Sequence, residues 1–272
     1  MDPHTVIFAH ISDTHFGPEP SYERYGFVPL ACAERLVDAL NALPFRLDFV
    51  VHTGDVVTEP DDRSYRLAAT TLARIGAPVY YVAGNHDTAA QIRRHLAIAP
   101  RQDLAADPDL LTYAFDVGGQ RFLVVDARAP DIDPRGRLSA AQLAVLDREL
   151  APTGPPLTVF GHFLPLPVGI PWIDETMLIQ NGAELHRRLV GAGRRVRGVF
   201  VGHVHQALCD YRDGLLYSAA PSSFAQLGGD PSDLLPRVDG VSPAGFAVVQ
   251  VTPMRTVVRV HAFQRPPPVS RE

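Results

Sequence analysis

Asp, His and Asn side chains recur beside glycine in five short motifs along the chain. Each motif stands at or directly after an apolar run rich in β-branched residues, and such runs predict buried strands. In open α/β sheets ligands collect at the carboxyl ends of strands, so these side chains are expected to converge on one site. Their types are those of metal ligands, which indicates a metal-dependent hydrolase. The motifs are Asp13-Thr14-His15, Gly54-Asp55, Gly84-Asn85-His86-Asp87, Gly161-His162 and Gly202-His203-Val204-His205.

The ligand types restrict which metal ions such a site would hold. Carboxylate oxygen, imidazole nitrogen and one amide oxygen suit Mn²⁺, Fe²⁺ or Fe³⁺, Co²⁺ and Zn²⁺. No thiolate belongs to any motif, which disfavours a structural zinc site. Glycine beside the ligands permits tight turns and close approach of the backbone.

Composition is that of an ordinary globular chain of 272 residues, 46% hydrophobic and 20% charged. A net charge of −5 argues against a nucleic-acid partner, because such proteins usually display a basic face. Cys32 and Cys209 are the only cysteines, and no signal-peptide or transmembrane pattern is visible. We therefore expect a cytoplasmic protein in a reducing compartment, with no membrane partner. A homo-oligomer is compatible with the sequence, which contains no readable interface.

Strand-like and helix-like segments alternate through the first two-thirds of the chain. Helical stripes run from Cys32 to Leu43 and from Tyr65 to Ile75, the latter closed by Gly76, and Ser139 opens a third helix with a capping box. The predicted strands there are 6–11, 49–51, 79–82, 121–125, 157–160 and 199–201. Strands at 214–218, 245–251 and 256–260 follow without a convincing helix. Such an order is compatible with two sheets packed face to face and helices outside.

The ordered motifs resemble the calcineurin-like metallophosphoesterase superfamily, whose motifs run Asp-x-His, Gly-Asp, Gly-Asn-His-Asp/Glu, His and Gly-His-x-His. Within it the chain is most similar to the bacterial branch of class III cyclic-nucleotide phosphodiesterases and glycerophosphodiesterases. Segments outside the metal motifs carry that closer similarity: 166–172, Gln180-Asn181-Gly182 and Ala220-Pro221-Ser222-Ser223. The resemblance extends from about Val6 to Val260.

This resemblance implies an α/β fold, a four-layer αββα sandwich of two mixed β-sheets flanked by helices. Residues 1–265 would form a single metallophosphoesterase domain. The Pro-rich residues 266–272 are expected to form a disordered tail.

Carried over residue by residue, the resemblance implies two metal ions (Mn, Fe, Zn or Co) bridged by Asp55. It further implies that His86 faces the substrate and that Asp87 orients His86. The first ion would be held by Asp13, His15, Asp55 and His205, and the second by Asp55, Asn85, His162 and His203.

On that basis we expect a metal-dependent phosphoric diester hydrolase acting on a small molecule, either a cyclic nucleotide such as 3′,5′-cAMP or a glycerophosphodiester. Two metals about 3.5–4 Å apart can lower the pKa of a bound water, and the resulting hydroxide attacks phosphorus. His86 would protonate the leaving alkoxide or stabilise its charge. The alternatives are a phosphomonoesterase or a nuclease built on the same metals, and a non-catalytic metal-binding scaffold.

One position departs from the His-His-Pro-Pro pattern that is frequent in this branch, since the chain has His162-Phe163-Leu164-Pro165. The implied ligand His162 is retained, whereas Phe163 is expected to alter the substrate-facing rim. Several other aromatic side chains near the motifs either contact substrate or pack in the core, and both interpretations are open. They are Tyr22, Tyr25, Phe27, Trp172 and Phe224.

Overall fold

The computed structural model describes residues 5–269. Fourteen strands lie in that range: β1 (Val6–Ile11), β2 (Phe49–His52), β3 (Val79–Tyr81), β4 (Gln102–Asp103), β5 (Tyr113–Val117), β6 (Gln120–Val124), β7 (Leu157–Phe160), β8 (Val196–Val201), β9 (Leu208–Arg212), β10 (Leu215–Ala219), β11 (Gln226–Leu227), β12 (Val238–Asp239), β13 (Ala244–Val251) and β14 (Thr256–Phe263). The same range contains six α-helices: α1 (Pro29–Asn41), α2 (Asp62–Leu72), α3 (Ala89–His95), α4 (Ala140–Glu149), α5 (Pro171–Thr176) and α6 (Gly182–Gly191). Short 3₁₀ turns occupy Pro130–Ile132 and Gly193–Arg195.

Two mixed sheets contain most of these strands. The first has the order β14-β13-β1-β2-β3, with β1, β2 and β3 parallel and β13 and β14 antiparallel. The second has the order β4-β5-β6-β7-β8-β10-β9, with β6, β7, β8 and β10 parallel. Strands β11 and β12 form a separate antiparallel pair.

Alternating apolar residues on the strands build the layers. On β7, Phe160 faces the first sheet and joins an aromatic core in which the Phe8 ring centroid lies 5.4 Å from Phe160 and 4.8 Å from Phe49. Val159 belongs to a second cluster, which contains the buried faces of α4, α5 and α6. Helices α1, α2 and α3 pack on the first sheet. The predicted four-layer αββα sandwich is therefore confirmed.

The ends of two predicted helices show where local sequence signals succeed and where they fail. The capping box of α4 is present, because Ser139 Oγ accepts a hydrogen bond from the Gln142 amide (3.3 Å) and Gln142 Oε1 accepts one from the Ser139 amide (2.8 Å). The helix predicted to run to Ile75 and close at Gly76 ends at Leu72, so that prediction was wrong. The Gly76 amide instead donates to Asn41 Oδ1 (2.9 Å), which ties the loop to α1.

The described part of the predicted tail, 266–269, contains neither helix nor strand. The Val269 amide donates to the Gly26 carbonyl (2.8 Å). The last three residues of that predicted disordered tail, 270–272, lie outside the described residues. Between residues 5 and 269, no helix has both the length and the apolar character that a membrane crossing requires.

Candidate metal centre

Loops that follow five parallel strands bring the predicted ligands to one place between the two sheets. The ligands are distributed as Asp13 and His15 after β1, Asp55 after β2, Asn85 after β3, His162 after β7, and His203 and His205 after β8. Backbone hydrogen bonds join these loops, from the Asp13 amide to the Gly54 carbonyl (3.0 Å) and from the Gly202 amide to the His162 carbonyl (2.9 Å). The loops therefore form one connected layer at the carboxyl ends of the strands.

Backbone conformation at this layer is unusual for side-chain-bearing residues. Seven non-glycine residues in the described range have positive φ, and five of them are predicted ligands: Asp13, His15, Asp55, His203 and His205, with φ between 47° and 72°. Such conformations cost about 1–3 kcal/mol each and concentrate at functional sites. Glycine allows the close approach that the loops require, because a Cβ at Gly84 would overlap the Asp55 carboxylate.

Asp13, His15 and His205 form a first group of buried side chains, with one ligand atom of each within 4.8 Å of the others. His205 Nε2 lies 3.1 Å from His15 Nε2 and 3.6 Å from Asp13 Oδ1. The Asp13 carboxylate also accepts a hydrogen bond from the His203 amide (3.1 Å), which links β1 to the loop after β8.

Asp55, His162 and His203 form a second such group. Asn85 joins it, since Asn85 Oδ1 lies 3.2 Å from His162 Nε2. Asp55 Oδ2 lies 3.4 Å from His162 Nε2 and 3.6 Å from His15 Nε2. A single carboxylate oxygen therefore faces both groups.

Hydrogen bonds from the Nδ1 atoms of two ligand histidines to backbone carbonyls turn the Nε2 atoms of these rings toward the other ligand atoms. A carbonyl can only accept, so His162 Nδ1 donates to Thr53 O (2.7 Å) and His205 Nδ1 donates to Ala225 O (2.9 Å). Nε2 of the neutral His205 ring is then an acceptor that faces the Asp13 carboxylate, and His162 Nε2 becomes an acceptor when that ring gives up its second proton. His203 Nε2 is buried without a hydrogen-bond partner. A cation satisfies such a set, and these donors fit a borderline first-row metal ion.

Protonation states agree with this interpretation. Burial lowers the pKa of His205 to about 4 and holds the pKa of His15 and His203 well below the usual value, so these rings are neutral. At His162 the same burial is outweighed by the charge and hydrogen bond of Asp55, and the pKa rises to about 9. The two groups are therefore electrostatically different.

His86 and Asp87 are the predicted catalytic pair, and the structure separates their surroundings. His86 Nδ1 donates to the Thr58 carbonyl (2.7 Å), and one of its ring nitrogens also lies within 4.8 Å of ligand atoms of His15 and Asp55. The Asp87 carboxylate accepts hydrogen bonds from the Val56 and Gly84 amides (3.1 and 3.0 Å). The hydroxyl of Tyr65 donates to it as well (2.8 Å). Asp87 thus holds the two ligand loops together, whereas a backbone carbonyl orients His86.

A cavity of about 230 Å³ opens above the two groups. Ligand side chains and His86 form one part of its lining, and the remainder is mostly apolar, with Arg24 and Thr176 as the polar exceptions. The lining residues outside the motifs are Arg24, Tyr25, Pro134, Trp172, Thr176, Met177, Leu227 and Pro236. Arg24 is the residue that sequence reasoning missed, because no local pattern marks an arginine that a loop will carry to a distant site.

The undecided aromatic residues divide between the two roles. Tyr25 lines the cavity, and so does Trp172, although Trp172 is buried and its Nε1 donates to the Gly228 carbonyl (3.0 Å). Tyr22 packs on Gly17. Phe27 and Phe224 are buried in one small apolar cluster.

Phe163 does not lie on the substrate-facing rim, so that expectation was wrong. Its ring is 1% exposed and lies beneath the second group, with centroid distances of 4.9 Å to His162 and 4.8 Å to His203. Because the side chain points into the core, the replacement of a family histidine at this position changes the backing of two ligands instead of the cavity wall.

A four-layer αββα sandwich with two such groups at its strand ends defines a metallophosphoesterase. The chain belongs to the calcineurin-like phosphoesterase family, whose sequence model matches residues 7–207. It is 30% identical over 243 residues to the glycerophosphodiester phosphodiesterase GpdQ of Enterobacter lignolyticus, covering 88% of this chain and 85% of that relative. Identity is also 30% to the 3′,5′-cyclic adenosine monophosphate phosphodiesterase CpdA of Pseudomonas aeruginosa, over 84% of this chain and 80% of the relative.

Solved structures agree on the fold. A purple acid phosphatase from yellow lupin superposes with a TM-score of 0.65 at 14% identity, over 95% of this chain and 51% of that chain. GAP50 of Plasmodium superposes with a TM-score of 0.57 at 13% identity, over 97% of this chain and 90% of that chain. The predicted family is confirmed, and with it the predicted class of metal-dependent phosphoric diester hydrolase.

Proposed function

We propose that this protein is a dinuclear-metal phosphodiesterase that hydrolyses small phosphodiesters, either a cyclic nucleotide such as 3′,5′-cAMP or a glycerophosphodiester. The observation that carries the proposal is Asp55 Oδ2, which lies within 3.6 Å of a histidine Nε2 in each ligand group. Both substrate classes appear in the names of the sequence relatives. Since both sheets supply ligands to the same centre, we further propose that residues 1–265 act as one metallophosphoesterase domain.

The proposed ligands are Asp13, His15, Asp55 and His205 for one metal, and Asp55, Asn85, His162 and His203 for the other. The donor set suits Mn, Fe, Zn or Co. When bound, the two ions would supply charge neutralisation at a phosphoryl group and a nucleophile derived from water at neutral pH.

The chain's own groups would then position the substrate and handle the proton. His86 Nδ1 donates to the Thr58 carbonyl, which fixes the ring, so Nε2 of the doubly protonated ring would be the nitrogen that gives a proton to the leaving oxygen. The Asp55 carboxylate fixes the same residue from its backbone, because Asp55 Oδ1 accepts from the His86 amide (3.0 Å). The main chain of His86 is therefore tied to the Asp55 carboxylate, and its ring is tied to the Thr58 carbonyl.

The cavity supports a small substrate. Its volume of about 230 Å³ suits a molecule of a few tens of atoms at most, and a nuclease would require a basic groove that a net charge of −5 does not favour. The cytoplasmic location and the absence of nucleic-acid and membrane partners stay predictions, as does the oligomeric state.

The test compares bis-p-nitrophenyl phosphate with p-nitrophenyl phosphate, using protein stripped of metal and reloaded with Mn²⁺; the stripped protein is the control. We expect two metals per chain and a kcat/KM at least about tenfold higher for the diester. A preference for the monoester would overturn the substrate class, and two bound metals without turnover of either ester would favour the non-catalytic scaffold.

The role of His86 is tested by His86→Asn. This variant should keep both metals and lose roughly 10²-fold or more of the turnover of a diester with an alkoxide leaving group. The loss should be smaller for bis-p-nitrophenyl phosphate, whose phenolate leaves without a proton. Equal losses on the two substrates would contradict the proton-donor assignment.

A further inference from the structure

Arg24 stands out among the cavity residues because its charge has no partner in residues 5–269. The side chain makes no hydrogen bond and no ion pair there, and its buried Nε atom is without an acceptor. Its one contact of note is the Tyr25 ring, whose centroid lies 4.9 Å from Arg24 Cζ. A guanidinium placed at a substrate cavity with its donors free is suited to an anion that arrives with the substrate.

The backbone that carries Arg24 is rigid and strained. Arg24 and Phe27 exchange both backbone hydrogen bonds, with N···O distances of 2.9 and 3.0 Å. The two residues between them, Tyr25 and Gly26, have φ of 52° and 79°, the signature of a type I′ hairpin turn. Asn, Asp or Gly normally occupies the first of these positions, so tyrosine there carries a conformational cost. The Val269 amide braces the same turn through the Gly26 carbonyl (2.8 Å).

This turn is docked on the first ligand group. The Tyr25 ring stacks on Phe224 with a centroid distance of 6.2 Å and an interplanar angle of 8°. Phe224 in turn lies 5.7 Å from the His15 ring and 5.8 Å from the His205 ring. The contacts place a fixed hairpin beside the proposed metal ligands, with its unpaired cation on the cavity wall.

We propose that Arg24 is a substrate-binding residue of this site, whose guanidinium contacts the anionic oxygens of the substrate's phosphoryl group. The inference rests on the proposed function, which places a phosphoryl group above the two ligand groups. Planar guanidinium donors match two phosphate oxygens in a bidentate pair, which a lysine cannot reproduce. The hairpin holds the donors in place before the substrate arrives, so little ordering is required on binding.

The experiment measures the binding of inorganic phosphate to metal-loaded protein by titration calorimetry, together with kcat and KM for bis-p-nitrophenyl phosphate. Arg24→Gln should weaken phosphate binding by about tenfold or more, the usual size of a hydrogen bond to a charged group. The phosphate affinity of Arg24→Lys should lie between those of the wild type and Arg24→Gln, because lysine keeps the charge but loses the paired donors of the guanidinium. The matched control is Arg35→Gln, which removes the same charge from an exposed position on α1, and it should bind phosphate like the wild type.

An unchanged phosphate affinity in Arg24→Gln would overturn the inference, even if the variant melted at a lower temperature. That pair of results would assign Arg24 to packing on Tyr25 alone. Phosphate binding that depends on Arg24, in a protein that turns over no phosphoester, would leave this inference standing and overturn the proposed function. The two failures are therefore distinguishable.

Discussion

The Asp55 carboxylate faces both ligand groups, yet the histidines beside it differ in protonation near pH 7, since His15 in the first group is neutral and His162 in the second is protonated on both ring nitrogens. In the first group burial keeps the pKa of His15 and His205 below the usual value, to about 4 for His205. In the second, Asp55 and its hydrogen bond raise the pKa of His162 to about 9 against the effect of the same burial. Metal binding at the second group must therefore displace a proton from His162 below about pH 9, whereas at the first group it displaces none from a histidine.

The cause of this difference is the position of Asp55. Burial would raise the pKa of Asp55, but the charge and hydrogen bond of His162 outweigh it and hold that pKa well below the usual value. An ionised, fully buried carboxylate needs a cation, and before a metal arrives the proton on His162 serves as that cation. Asp55 therefore has a counter-ion from the protein itself, the protonated ring of His162, on the side of the second group.

The largest expected effect comes from removing the shared charge. Asp55→Asn should abolish tight metal binding at both groups, and the turnover of bis-p-nitrophenyl phosphate should fall by on the order of a thousandfold or more. Metal content by mass spectrometry and steady-state kinetics measure the two losses. Asp109→Asn, at an exposed position, is the control for loss of a carboxylate. An Asp55→Asn protein that still holds two metals would refute the shared-ligand assignment.

A smaller effect separates the groups. His205→Asn should leave only the second group, and Asn85→Ala should leave only the first, so each variant should bind one metal. Between pH 7 and 9 the apparent affinity of His205→Asn should rise with pH, by up to about tenfold per unit, because a metal displaces the His162 proton below its pKa of about 9.

Asn85→Ala serves as the comparison in that experiment. In the first group, Asp13 is the side chain for which protons compete with the metal, because burial raises the pKa of its carboxyl group to about 7. The metal affinity of Asn85→Ala should therefore rise with pH only up to about pH 7 and change little above that pH. Calorimetric titrations with Mn²⁺ at several pH values give both curves. Equal pH dependence in the two variants would show that the electrostatic difference between the groups does not control binding.

Sequence patterns gave the two sheets and the placement of ligands because both depend on local signals. A buried apolar run followed by glycine and a polar residue marks a strand end, and β2, β7 and β8 follow that rule. Helix α6 was not predicted, since its buried apolar contacts reduce to Leu185 and Leu189 and its first residue is a glycine.

The rest depends on contacts between distant residues. The Asp87 carboxylate accepts a hydrogen bond from the Tyr65 hydroxyl, which lies 22 positions earlier on α2. Arg24 reaches the cavity only because its hairpin docks on Phe224, which is 200 residues away along the chain. Local periodicity contains no information on such pairs, so no motif could have indicated them.

The smallest predicted effect concerns the backing of the second group. Phe163→Leu should lower the free energy of unfolding by about 1–2 kcal/mol, because a smaller, non-aromatic side chain leaves part of the ring's space unfilled. The KM for bis-p-nitrophenyl phosphate should stay unchanged, since the ring lies outside the cavity. Thermal or denaturant unfolding of the metal-free protein measures the first quantity, and Phe45→Leu, at a position 40% exposed, is the matched control.

The variant also sharpens the comparison between the groups. The Phe163 ring contacts His162 and His203 in the second group, whereas Phe224 is the ring against His15 and His205 in the first. Loosening Phe163 should therefore weaken Mn²⁺ binding at the second group by about tenfold at most, the lower end of what changes behind metal ligands cost, and leave the first group unaltered. A raised KM with unchanged metal affinity would instead place Phe163 in contact with substrate, and the division between ligand backing and cavity wall would then be incorrect.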